Sequence, residues 1–160
     1  SKAGLLHHYS SKDQLLAAVL DERDRRTMSR LPGGDEGAEV ALDAWVEMVA
    51  HNQRHPDGVA LYTAMSAAVI DADHQAHPWF RQHLMSAIAY LVDALERGKV
   101  TGEVRADAPS EQIARKLVAL SDGLQVQWLC ARVDGGGEVD MRGVMAGVVA
   151  DVKDRWLVRS

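Results

Sequence analysis

The sequence predicts an all-α fold. Apolar residues recur at spacings of three and four, no stretch alternates with β-branched enrichment, and proline- and glycine-rich breakers cut the chain into about seven helical pieces. The breakers are Pro32-Gly33-Gly34, His55-Pro56-Asp57-Gly58, His77-Pro78, the 98–109 stretch and Gly135-Gly136-Gly137.

The first piece, about residues 2–8, is short and ends at Tyr9-Ser10. Ser10 reads as the N-cap of a second helix over about 11–30, with Asp13 completing a capping-box-like pattern. Leu15, Leu16, Val19 and Leu20 form its stripe; its far half is charged, so burial is expected in the first turns only. A third helix starts near 35 and ends before Pro56, with Ala41, Trp45, Met48 and Asn52 along one face. A fourth, about 58–70, carries Leu61, Tyr62, Met65 and Val69. A fifth begins near Pro78, a residue tolerated in a first turn, and carries Phe80, Leu84, Ile88, Leu91 and Leu95. Gly98 is read as its C-terminal stop.

The sixth helix runs from about 109 to 130 with Ile113, Leu117, Leu120, Leu124 and Trp128 on its stripe. The seventh covers about 140–158, with Met141, Val144 or Met145, Val148, Val152 and Trp156. Gly143 and Gly147 lie one turn apart beside Ala146 and Ala150. An interior glycine costs about 1 kcal/mol relative to alanine, and two on one face let another helix approach closely. These last two helices either finish the monomer core or form a self-association surface; the second reading, which leans on the resemblance given below, puts Leu117, Leu120, Leu124, Gly143, Gly147, Val148 and Ala150 at a dimer interface.

The chain of 160 residues is 47% hydrophobic and 26% charged, an ordinary globular mix with room for one core. No window approaches the roughly 18 consecutive apolar residues that a membrane span needs. The opening residues show no apolar run before a small-residue cleavage site, so they do not read as a signal peptide. Cys130 is the single cysteine, read as a small, partly buried apolar residue; a lone thiol fits a reducing, cytoplasmic setting. The net charge of −5 is uneven, because residues 1–31 hold six Lys/Arg against four acids. A mildly basic end on an acidic body suits a protein that meets a polyanion at one end.

Residues 1–16, Ser-Lys-Ala-Gly-Leu-Leu-His-His-Tyr-Ser-Ser-Lys-Asp-Gln-Leu-Leu, resemble the signature of tetracycline-repressor-like (TetR-family) transcriptional regulators: a short recognition helix, a histidine pair, an aromatic, then Ser-Lys-acid and a Leu-Leu helix. Gly98-Lys99-Val100-Thr101-Gly102-Glu103-Val104-Arg105 with Asp107 and Pro109, and Leu117 through Ser121-Asp122-Gly123-Leu124 to Trp128, resemble later parts of the family more loosely.

The resemblance implies a division at about residue 31. Residues 1–31 would be the end of a helix-turn-helix domain and its connecting helix. Residues 32–160 would form a ligand-binding and dimerisation body whose last two helices build a four-helix bundle in the dimer. It further implies that Ser1, Lys2, His8, Tyr9 and Lys12 contact operator DNA, the lysines on phosphates. Leu6 stands where the family commonly has a tyrosine that touches phosphate. The family places two helices upstream of the recognition helix, so these residues alone are expected to bind DNA weakly, and operator binding is assigned to the full-length protein.

For the body, a pocket is expected among Trp45, Met48, His51, Asn52, Tyr62, Met65, His83, Met85, Ile88, Gln125 and Trp128. Methionines and aromatics would shape an apolar wall, and His51, Asn52, His83 and Gln125 would anchor polar groups of an apolar or aromatic effector. His51 and His55 have the i,i+4 spacing of paired metal ligands, and His74 and His77 lie in a nearby loop. No carboxylate or thiol completes the set, so no metal or cofactor is expected. No catalytic grouping or phosphate-binding loop stands out, so the chain is not read as an enzyme. The expected function is a ligand-responsive regulator, most often a repressor in this family. The alternative is a helical dimer that binds a small molecule and works without DNA.

Overall fold

The computed structural model describes residues 12–33, 36–67, 71–74, 76–135 and 137–158. Among them the chain forms six helices, α1 (Lys12–Met28), α2 (Ala38–Gln53), α3 (Pro56–Ser66), α4 (His77–Thr101), α5 (Ser110–Asp134) and α6 (Met141–Trp156). Extended pairing among the described residues is limited to one isolated antiparallel bridge, Val104 with Leu157. The first predicted piece, the Ser10 cap and Val69 lie outside the described residues, as do the side chains of Lys12 and Asp13.

Two helix ends differ from the sequence reading. Helix α2 ends before Pro56 as read, but Pro56 itself opens α3, ahead of the start read at about 58, because a proline fits the first helical position, where its missing N–H is no loss. Helix α4 runs on through Gly98 and stops at Gly102, which takes φ 82°. Gly98 is buried inside the helix: a Cβ there would overlap Val104 Cγ2 and meet Ala38 Cβ at 3.0 Å. It serves a close approach of three segments, and the left-handed stop falls to the next glycine along.

That approach belongs to a larger tie. The Ala38 and Glu39 N–H groups at the start of α2 donate to the Glu103 carboxylate at 2.8 and 2.9 Å. Gly37, the N-cap residue, has no side chain to do this, so a residue from a distant loop caps the helix. The Val104 N–H donates to the Gly98 carbonyl at 2.9 Å, Arg105 N–H to the Trp156 carbonyl at 2.9 Å and Val158 N–H to the Glu103 carbonyl at 2.8 Å. The 102–105 turn thereby fastens the start of α2 and the ends of α4 and α6.

The main core joins α2, α4, α5 and α6 around Leu42, Trp45, Leu91, Leu95, Leu117 and Met145. Helix α6 lies antiparallel to α2, with Arg142 on Glu47 and Lys153 on Glu39 and Asp43. A second, smaller cluster of Leu20, Tyr62, Met65, Ala76 and Phe80 docks α1 onto α3 and α4. Leu20 is fully buried, which contributes about 1.5–3 kcal/mol to holding α1 in place.

The Gly98→Ala variant is expected to lose about 1–3 kcal/mol in urea unfolding through overpacking against Val104, despite alanine's better helix propensity. A variant as stable as the parent would show that the Val104 turn can move away.

Candidate functional site

An inner cavity with about 40 Å³ of free volume lies where α1 meets the body. Helix α2 contributes Trp45, Met48 and Asn52, α3 Tyr62, α4 His83 and α5 Gln125, all of them among the pocket residues read from the sequence. Helix α1 adds Arg23, Asp24 and Thr27. The sequence reading leaves these three to solvent, because charges in the far half of a helix are ordinarily solvated. Here the α1 axis carries that half across the mouth of the body.

Arg23 is largely buried. Its guanidinium stands 5.2 Å from the Tyr62 ring centroid and 3.5 Å from Asn52 Oδ1. Gly58 makes room for it, since a Cβ there would sit 3.2 Å from Arg23 Nε. Asp24, the next residue, accepts from His83 Nδ1 at 2.8 Å, and the His83 ring stacks on Trp79. Tyr62 Oη donates to Asp122 Oδ1 at 3.2 Å. Trp45 Nε1 donates to Ser121 Oγ at 3.1 Å, and that hydroxyl donates to the Leu117 carbonyl at 2.9 Å.

Burial, and then the charge of Asp122, push the Tyr62 hydroxyl far above its ordinary range, so it stays a donor. Burial also raises the Asp122 carboxyl, against the lowering effect of the Tyr62 hydrogen bond and of His83 and Arg23. Burial lowers the Arg23 guanidinium, which its neighbours Tyr62, Asp24 and Asp122 partly offset. One polar atom in the wall lacks a partner: Gln125 Oε1, on a side chain only 6% exposed, is buried without a hydrogen bond.

The remaining pocket candidates are dispersed. His51 faces a separate cleft with Met48. Met85 and Ile88 line an open groove of about 690 Å³ between α4 and α5, and Met85 is 52% exposed. That groove shares Val118 and Asp122 with the inner cavity. Met65 belongs to the small cluster under α1, and Trp128 is buried in the main core with the Arg132 guanidinium over its ring. A helix has several faces, and the stripe of long residues on α4 serves two of them.

Of the expected interface residues, Leu117 and Leu124 are buried in the chain's own core. Gly143 faces its own helix start, where the Asp140 carboxylate accepts its N–H at 2.8 Å and would overlap a Cβ. Leu120 and Val148 are half-buried, and Gly147 and Ala150 are exposed. The surface beside them adds Val126 and Val144, 47% and 46% exposed, and Cys130, which is exposed rather than partly buried. Beyond its own helix backbone, a Cβ at Gly123 or Gly147 would meet nothing within 4 Å.

Ser1, Lys2, His8 and Tyr9, the expected DNA contacts, lie outside the described residues, and Lys12 is described only as the first residue of α1. The His51 and His55 rings lie 4.1 Å apart at a tilt of 34°, and His55 Nδ1 is engaged by the His51 carbonyl. Among the described residues no group of three or more His, Cys, Asp or Glu is poised around a common point, and no helix is long and apolar enough to cross a membrane.

The fold is that of solved TetR-family transcriptional regulators. A TetR-family regulator from Rhodococcus sp. superposes with a TM-score of 0.77 at 20% identity, over 96% of this chain and 81% of that one. A TetR transcription regulator from Haloarcula marismortui ATCC 43049 gives 0.77 at 21%, over 99% and 86%. Salmonella enterica GusR gives 0.68 at 23%, over 96% and 79%. At these identities the likeness is one of fold. No family model matches the sequence, and no curated protein matches it.

Asp122 yields a pH test. Its carboxyl titrates from 3.8 when unfolded to a raised value when folded, so the native state holds the proton more tightly in that window. Stability attributable to Asp122 therefore falls as pH rises through the window, and the cost is complete above the folded value. The Asp122→Asn variant still accepts from Tyr62 and carries no such cost. Its unfolding free energy minus that of the parent is expected to grow from acid toward neutral pH. A difference independent of pH would mean that burial does not raise the Asp122 carboxyl.

Proposed function

We propose that this chain is the connecting helix and body of a ligand-responsive transcriptional regulator of the TetR type, most simply a repressor that acts as a dimer. The observation that carries the reading is Gln125 Oε1, a buried acceptor without a partner in the wall of a cavity that α1 helps to close. A buried polar atom left unmade costs about 1–3 kcal/mol, and a ligand N–H or O–H would relieve it.

The division at residue 31 follows from this reading. Helix α1 carries on directly from the segment that resembles a recognition helix, and it places Arg23, Asp24 and Thr27 against the effector space. With about 40 Å³ free, the cavity accommodates little more than water, so an effector of drug size must part the helices to enter. Parting them shifts α1, and the shift changes the spacing of two recognition helices across a dimer. An effector that binds the parted state better than the closed one would release the operator.

Ser1, Lys2, His8, Tyr9 and Lys12 are the proposed operator contacts in the full-length protein. The proposed dimer pairs the exposed strip of α5 and α6, with Leu120, Gly123, Val126, Val144, Gly147, Val148 and Ala150, into a four-helix bundle. The setting is cytoplasmic and the role one of binding, with no reaction catalysed.

Two measurements test this. An operator selected from random DNA by the full-length protein is expected to be bound by the parent and released by its effector. Gln125→Met is expected to keep or raise the melting temperature and bind DNA normally. It should also raise the effector concentration needed for release about tenfold, the loss of roughly one hydrogen bond to a buried group. Failure to select any DNA sequence would remove the regulator reading. Separately, Val126→Glu with Gly147→Glu is expected to convert a dimer into a folded monomer in sedimentation velocity. A dimer that survives both charges would place the interface elsewhere.

A further inference from the structure

Beyond the inner cavity, on the other side of Thr27, Leu31 and Met48, opens a cleft of about 360 Å³ at the end of α1 and the C-terminal half of α2. Those three side chains line both spaces, so the partition between them is one layer of a threonine, a leucine and an adaptable methionine. The charge of the cleft is unlike that of the cavity. Its wall presents Arg30, Arg54 and His51, and its one acid among the described residues, Glu47, is already held by Arg142 at 3.1 and 2.6 Å.

Neither Arg30 nor Arg54 has a carboxylate partner or a side-chain hydrogen bond among the described residues. They are not occupied in capping α2 either. The His51 carbonyl takes Arg54 N–H at 3.1 Å and His55 Nδ1 at 2.8 Å, and the Asn52 carbonyl takes His55 N–H at 2.9 Å. Burial, and then the charges of His55, Arg30 and Arg54, lower the His51 imidazole, so it faces the cleft neutral at neutral pH. Two guanidiniums without a side-chain partner among the described residues and one imidazole thus border a recess whose opposite wall leads into the inner cavity. Arginine forks of this kind match the paired oxygens of a carboxylate or phosphate.

We infer that this cleft is the head-group subsite of the effector site, and that the effector is an amphipathic anion. Its carboxylate or phosphate sits between Arg30, Arg54 and His51, and its largely apolar end, which also carries the donor for Gln125 Oε1, passes between Thr27, Leu31 and Met48 into the inner cavity. The inference rests on the effector reading above and narrows it to a class. It also gives the anion a grip on both sides of the 29–37 connection, because Arg30 follows α1 and Arg54 follows α2.

The test uses the full-length protein and three probes with one apolar chain: decanoate, decyl phosphate and decanol. Calorimetric titration is expected to give at least one of the two anions a Kd about ten- to hundredfold below that of decanol. Added salt is expected to narrow the gap. Whether decanoate or decyl phosphate binds tighter distinguishes the two head groups. The double variant Arg30→Gln/Arg54→Gln, both at exposed positions, is expected to keep its melting temperature and its decanol affinity while losing the preference for the anion. Equal affinity of the parent for all three probes overturns the subsite and leaves the cavity reading standing, as does a preference that survives in the double variant. Binding of none of the probes overturns it as well. Failure of the regulator reading shows elsewhere, in the absence of a selected operator.

Discussion

The molecule is organised from the 102–105 turn. A helix start needs acceptors for its free N–H groups, and α2, opening on Gly37, brings none of its own. The Glu103 carboxylate supplies them from a loop 64 and 65 residues away in sequence. Because Glu103 and Val104 also bond to the ends of α6 and α4, the cap fixes the relative position of three helices at once. Val104 is buried only because Gly98 presents no side chain to it. Van der Waals contact, backbone hydrogen bonds and a charge-assisted cap coincide at this end, and such a junction has little room to deform.

The opposite ends of α2 and α4 are built differently. There the contacts to α1 are Arg23 to Asn52 and Tyr62, and Asp24 to His83, arranged around space that is not filled. Polar contacts across a cavity have alternatives, because water or a ligand can replace each partner, whereas a packed side chain has none. One end of the body therefore acts as a frame and the other as a place where position can be biased. The small cluster around Leu20 keeps α1 attached while that happens.

The helices were legible in the sequence because spacings of three and four survive in every one of them, and the glycine and proline breakers mark most boundaries. The errors share a cause. Gly98 reads as a stop by local rules, yet the neighbour that requires a glycine there, Val104, is known only once the chain has turned back. Leu117 and Leu124 read as interface residues because α5 is apolar on more than one side, and the chain's own core takes them up. Only packing shows which stripe the monomer consumes and that Val126 and Cys130 are what it leaves exposed. Arg23 and Asp24 gave no local sign of burial. Their signal lies in the pairing with Tyr62 and His83, on helices that periodicity alone cannot orient. Six of the pocket candidates meet at the cavity because they share inward faces of α2, α3, α4 and α5, while Met85 and Ile88 lie on a side of α4 that faces away from it.

Trp45 sits in the cavity wall, 3% exposed, with its indole N–H committed to Ser121 and its ring 6.5 Å from Tyr90. An indole so placed has a fixed polarity around it, and a body entering the cavity changes that polarity directly. Among the four tryptophans of the chain, Trp45 therefore carries an emission that answers to what fills the cavity as well as to unfolding, at a position where no label needs to be attached.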